Sequence, residues 1–206
     1  MGWWQDWKDR AVRKKFKRLG RDCTFVGTNY ELKGRVEAGD AVRFGGNLVL
    51  RTHKGGHIRL GDAVEIGDYV IIQANAAVEV GEGALIGPYA VLRDTNHLFQ
   101  GSDAHWRLMP HITEPIRIGK GAYIGAGSYV MPGVTIGDGA VIAPMSVVHR
   151  DVPALEVWAG SPASKVAHRL EPDQLSAQRK SQEWARMFGF EVGGATSATE
   201  AETAQG

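Results

Sequence analysis

The chain has a single cysteine, Cys23, among 206 residues. One thiol closes no intrachain disulfide and builds neither a thiolate metal cluster nor a secreted disulfide framework, so a reducing cytoplasm is the expected compartment. Long apolar runs are missing too. No stretch of about 18 such residues exists to cross a bilayer, and the opening "MGWWQDWKDR" lacks the apolar centre of a signal peptide. It also fails the myristoylation pattern, because Asp6 stands where Ser or Thr is required. Net charge is nearly absent, at +1, but it is unevenly spread. Residues 1 to 21 carry eight Lys/Arg against Asp6 and Asp9, a net of +6 that leaves −5 for the remainder. A basic head on a mildly acidic body points to a separate partner for the head.

What the chain does have is a repeat. Five segments align without gaps: "VEAGDAVRFG" from Val36, "IRLGDAVEIG" from Ile58, "VEVGEGALIG" from Val78, "IRIGKGAYIG" from Ile116 and "VTIGDGAVIA" from Val134. Their starts lie 22, 20, 38 and 18 residues apart. Eighteen is three hexapeptides, so one turn of a three-sided coil returns each aliphatic to the place of its predecessor. Ile118, Ile124, Val130, Ile136, Ile142 and Val148 recur every six residues in that register. Gly119, Gly125 and Gly137 follow some of them, as suits a corner that needs φ > 0 or has no room for a side chain.

Six is not a multiple of 3.6, and the residues between are β-branched, small or turn-forming, so helix is excluded. The expected fold is an all-β parallel β-helix of some six or seven coils, stacked about 4.8 Å apart into a prism roughly 30 Å tall. Strict six-residue phasing disfavours an antiparallel sandwich. The usual crossover rule favours right-handed winding, and the period does not overrule it. Spacings of 22 and 20 mean small corner insertions. The spacing of 38 means about two coils with a loop expelled between them: "RDTNHLFQGSDAHWRLMPHITEP", Arg93 to Pro115, with three of the seven histidines.

The run from Pro115 to Val166, "PIRIGKGAYIGAGSYVMPGVTIGDGAVIAPMSVVHRDVPALEVWAGSPASKV", resembles the hexapeptide-repeat acyltransferases, in particular the maltose, galactoside and polysaccharide O-acetyltransferase branch. The resemblance implies a left-handed β-helix, a homotrimer with active sites in the clefts between prisms, and acetyl-coenzyme A as donor. It places His97, in "RDTNH", as general base at the root of the expelled loop. An imidazole near neutrality can take the proton of an attacking hydroxyl or amine and return it to the leaving thiolate. One ring nitrogen must then face the acceptor while the other is held, by Asp94 or by a backbone carbonyl. Exposed corners such as Gly125 are candidates for donating N–H groups to the oxyanion. The resemblance sets coenzyme A along the last coils, near Tyr123, where relatives often have Trp, and near Ala143 and Ser146, with Arg150 and Lys165 placed to meet phosphates.

Other positions have two readings each. Asn75 is an acceptor-site candidate or a buried ladder Asn. His105, Trp106 and His111 are acceptor-facing or simply polar loop surface. His53 and His57 read as a corner insertion, and His149 and His168 as surface or phosphate neighbours. The head, 1–21, reads as a Trp-bearing basic helix that either touches an anionic membrane or caps the first coil. The β-helix domain is expected over 22–166, a C-terminal helix over 167–190 and a disordered tail over 191–206.

Together these readings give an acetyl-coenzyme A dependent acyltransferase acting on a hydroxyl of a sugar or glycan precursor, cytoplasmic or peripheral at the inner membrane face. No metal and no nucleic-acid partner are expected. The competing classes are a small-amine or xenobiotic acetyltransferase of the same fold, a γ-class carbonic anhydrase-like zinc enzyme, and a non-catalytic β-helix scaffold.

Overall fold

A computed structural model describes residues 10–170 apart from 54, 99, 100, 102 and 104, with the side chain of Trp106 also outside the description. Residues up to Arg169 belong to one compact unit. Its strands are short because each is one side of a coil, and they fall into three parallel ladders. The first face stacks Arg18–Leu19, Arg35–Ala38, His57–Leu60, Ala77–Val80, Ile116–Ile118 and Thr135–Ile136. The second stacks Thr24–Phe25, Arg43–Phe44, Glu65–Ile66, Leu85–Ile86, Tyr123–Ile124, Val141–Ile142 and Glu156–Gly160. The third stacks Tyr30–Lys33, Leu48–Thr52, Ile71–Ala74, Val91–Arg93, Tyr129–Val130 and Val147–Val148. The fold is the parallel β-helix of hexapeptide repeats, six coils tall on its first face.

The six-residue register is what fills the prism. Ile118 and Ile136 pair on the first face, Ile124 and Ile142 on the second, Val130 and Val148 on the third. All six are buried, five of them completely. Each such burial contributes about 1.5–3 kcal/mol, and neighbouring coils repeat it without a break. The glycines after the aliphatics are there for room. A Cβ on Gly119 would lie 2.5 Å from the Asp138 backbone nitrogen, and Gly119 carries no positive φ. The acidic residue that follows the glycine has its own task. Asp62 accepts the backbone N–H of Asp40, and Asp138 that of Lys120, each at 2.8 Å, so at these corners a carboxylate ties the coil to the one below.

The β-helix begins earlier than expected. Arg18–Leu19 pairs in parallel with Glu37 and Ala38, inside the segment expected to be wholly helical. Residues 10–13 are helical, and the chain then enters the first coil. "LGRDCTF" is a repeat in disguise, with Cys23 and Phe25 at places filled elsewhere by Val and Ile. Phe16 folds beneath that coil, tilted on Phe25 and Phe44 with ring centroids 6.0 and 5.3 Å away, while Phe25 and Phe44 stack at 4.8 Å. Arg13 lies over the Phe25 ring and donates to the Cys23 carbonyl. Val12 and Phe16, part of the arc that would face lipid, are thus spent on the cap. Trp3, Trp4 and Trp7 lie outside the described residues.

At the other end, Ala163–His168 turns back antiparallel on Glu156–Gly160. Residues 167 and 168 are therefore strand, not the start of the expected helix. The rest of that helix and the tail over 191–206 lie outside the described residues, Arg169 and Leu170 excepted, which form a turn.

Phe44 is fully buried between the cap and the second coil. Phe44→Ala should cost about 3–5 kcal/mol. In urea the unfolding midpoint should fall, and an unchanged midpoint would show that the cap bears no load.

Candidate active site

One corner, where the third face passes to the first, carries the expelled chain. It leaves after Val91–Arg93 and re-enters at Ile116–Ile118. Its legs form an antiparallel hairpin, Thr95–His97 against His111–Thr113, in which Thr95 faces Thr113, Asn96 faces Ile112 and His97 faces His111. The two imidazoles lie 4.1 Å apart between centroids, inclined at 45°. His97 is half-buried and His111 exposed. Sequence spacing sets His111 far from His97; the hairpin brings the two rings together.

His97 Nδ1 is enclosed and meets no hydrogen-bond partner among the described residues. A substrate proton can therefore reach the ring only at Nε2. Asp94 does not hold that ring, contrary to expectation. Its carboxylate, completely buried, accepts instead the backbone N–H groups of Asn75, Ala76 and Ala77 and the hydroxyl of Thr95. The physical reason is reach: Asp94 is the corner residue of its coil and points at the corner below, as Asp62 and Asp138 do. That contact puts Asn75 at the same corner as His97, one coil away. His105 sits farther out in the loop, exposed, with Nδ1 accepting the Arg107 N–H beside the 3-10 turn Trp106–Leu108. His105 lies outside the paired legs of the hairpin.

The coenzyme candidates divide. Tyr123 is half-buried on the outside of the second face, between Leu85 and Val141 in the ladder. Lys165 lies on the closing hairpin of that face, 3.0 Å from Glu156. Arg150 stands at the loop-bearing corner near the top, its guanidinium 5.0 Å from the Trp158 ring centroid. Two candidates are corrected. Gly125 is buried and its N–H is bonded to the Ile142 carbonyl at 2.8 Å, so it has no donor left for an oxyanion. Ser146 is fully buried; its hydroxyl donates to the Ala143 carbonyl at 2.7 Å and accepts the Gly160 N–H at 3.1 Å. Small residues at corners look alike in sequence whether they point in or out. Ala143 itself is half-buried and bonded through its N–H to Trp158.

A cavity of about 610 Å³ runs along the first face instead, over Glu37, Arg59, Glu79 and Arg117. Those charges are paired with one another, Arg59 with Glu79 at 3.0 Å and Arg117 with Glu79 at 3.7 Å. The cavity does not include the hairpin.

The signature of the bacterial transferase hexapeptide (six repeats) matches residues 115–150. The chain is 33% identical over 140 residues to the putative lipopolysaccharide biosynthesis O-acetyl transferase WbbJ of Escherichia coli, covering 63% of this chain and 70% of that one. It belongs to the hexapeptide-repeat acyltransferases. Over 84% of its length it is also 27% identical to the probable acetyltransferase Rv3034c of Mycobacterium tuberculosis, of whose length it spans 59%, about three fifths. Among solved structures, AntD, an N-acyltransferase from Bacillus cereus in complex with dTDP and 3-hydroxybutyryl-CoA, shares the fold: TM-score 0.65, 19% identity, 86% of this chain and 96% of that one.

In this hexapeptide-repeat acyltransferase, Ser146→Ala would strip the Gly160 N–H of its acceptor, a loss of about 1–3 kcal/mol. Urea denaturation followed by circular dichroism reads that loss as a lower midpoint. The closing hairpin adds a pH effect. The Trp158 indole N–H, and then Lys165, hold the Glu156 carboxyl below its ordinary range. Its stabilising contribution is complete above the ordinary carboxylate pKa and is lost as pH falls through the depressed folded value. Glu156→Gln should flatten that part of the acid limb of the stability-against-pH curve.

Proposed function

We propose that the protein transfers an acetyl group from acetyl-coenzyme A to a hydroxyl of a sugar or glycan precursor, with His97 as general base and as a homotrimer. The observation that carries this reading is the placing of His97 and Tyr123. A triangular prism sets the corner between its third and first faces opposite its second face. His97 stands at that corner and Tyr123 on that face. One thioester cannot touch both in a single prism, whereas it can in a cleft where the corner of one copy meets the second face of the next. Kinship with sugar-directed acetyltransferases supports the acceptor class.

The residues present suit such a co-substrate. Arg150 and Lys165 offer cations near the upper end of the prism, and Tyr123 offers a flat ring beside a narrow chain. Chemistry at the corner then needs little else. The acceptor hydroxyl attacks the thioester carbonyl as its proton passes to His97 Nε2, the open ring nitrogen. Collapse of the tetrahedral adduct breaks the carbon–sulfur bond, and the same nitrogen returns the proton to the thiolate. His111, facing His97 across the hairpin, keeps that ring from turning. Asn75, one coil below, is placed to meet the acceptor.

His97→Ala should lower acetyl transfer by about 10²–10⁴-fold while coenzyme A binding, read by calorimetry, stays within about twofold. Acceptors are screened among methyl hexopyranosides and UDP-hexoses with labelled acetyl-coenzyme A. Activity of His97→Ala near that of the parent sinks the general-base role. Mixed refolding of His97→Ala with Tyr123→Ala subunits should restore activity that neither variant has alone, and no recovery would place the site within one copy.

A further inference from the structure

Beneath the hairpin lies a buried carboxylate that forms no ion pair among the described residues. Asp94 Oδ1 accepts the Asn75 N–H at 2.8 Å and the Thr95 hydroxyl at 3.0 Å; Oδ2 accepts Ala76 N–H at 2.7 Å and Ala77 N–H at 2.9 Å. Asp62 and Asp138 each take one backbone N–H, and the exposed Asp40 takes that of Arg21 together with its guanidinium, so none of the three gathers several backbone amides as Asp94 does. Burial of a carboxylate is unfavourable unless donors replace its water, and here the backbone of a whole corner curls around it as an anion nest.

We infer that Asp94 is a positioning residue for the proposed transfer, acting on His97 through Thr95 and the hairpin register. Thr95 gives its proton to Asp94, so at 3.2 Å from Thr113 it is the Thr113 hydroxyl that donates to Thr95. Those two threonines are the first rung of the hairpin, and His97 and His111 form its third. The Asp94 backbone ties the hairpin root to the coil below and to the returning chain: its N–H donates to the Gln73 carbonyl at 3.3 Å, and its carbonyl accepts the Glu114 N–H at 2.9 Å. One residue therefore fixes the corner that presents Asn75 and the rung that sets His97 opposite His111. A slip of one residue would send every hairpin side chain to the opposite face. This role rests on the reading of His97 as base.

Thr95→Val tests it, because valine keeps the shape, deletes the hydroxyl relay and leaves the amide contacts of Asp94 in place; Thr95→Ser restores the hydroxyl. Two readouts separate the possibilities. In nitrogen-proton NMR of the imidazoles, the His97 and His111 ring signals should shift in Thr95→Val and return in Thr95→Ser. In coenzyme A thiol release from acetyl-coenzyme A, with methyl hexopyranosides and UDP-hexoses as acceptor probes, kcat should fall about 10–100-fold. KM for acetyl-coenzyme A should stay within about twofold, since Tyr123 lies on another face. Unshifted ring signals in Thr95→Val would overturn the inference, as would a loss that serine does not reverse. If the parent protein releases no thiol with any probe, the acyl-transfer reading fails on its own, and the ring signals still decide whether Asp94 and Thr95 place His97.

Discussion

Every coil of this protein depends on how its corner meets the corner below. The glycine lets the backbones approach to a distance no Cβ would allow, and where aspartate follows it, as at Asp62 and Asp138, the carboxylate closes the gap by accepting a backbone N–H from the earlier coil. Glycine alone would bring together peptide groups with an unmet donor between them, and such a donor is unfavourable when water is excluded. Aspartate alone would be held off by a side chain beneath it. The pair works only in register, so the corners help set the six-residue phase that stacks Ile on Ile inside the prism.

The loop-bearing corner uses the same device with more donors. Where Asp62 and Asp138 take one amide each, Asp94 takes three amides and a hydroxyl, and the chain it anchors leaves the wall altogether. An excursion of some twenty residues would ordinarily be the least ordered part of a repeat protein. Here its two legs pair as a short hairpin whose first rung is tied to a buried carboxylate. His97 therefore inherits rigidity from the prism although it stands outside it. A flat ladder could not supply the same site, because a side chain projecting from a wall has neighbours only above and below, whereas the hairpin adds His111 at its flank.

The wall of the prism was legible in the sequence because its cause is periodic. Ile118 to Val148 declare three faces in thirty-one residues, and the oversized spacing before Ile116 declares the loop. The first coil was not legible: Cys23 and Phe25 hold the places of Val and Ile, and the basic residues around them look like helix surface. The place of His97 at the loop root was legible from spacing and resemblance. His111 was not, because an antiparallel register depends on which threonines meet. Gly125 and Ser146 misled for a related reason, since sequence gives the corner and not the side of the corner on which a polar atom lies.

Stacking identical repeats also sets a limit on composition, which the first face shows. A perfect repeat would place like charges one coil apart, about 4.8 Å, and each such pair would oppose folding by about 1 kcal/mol in water. The chain alternates instead: Glu37, Arg59, Glu79 and Arg117 follow one another in register, joined at 3.8, 3.0 and 3.7 Å. Exposed pairs of this kind contribute little each, so their effect is chiefly to remove a repulsion. The corner between the second and third faces meets the same limit with aromatics. Tyr69 and Tyr89 both hold positive φ, a conformation that is unfavourable for any side chain. Their rings stack at 4.9 Å and 1°, which returns about 0.5–1.5 kcal/mol. The next coil has Gly127, and the Met145 sulfur occupies the space where its Cβ would stand. The aromatic column therefore ends after two rings, with the Met145 side chain filling the place of a third.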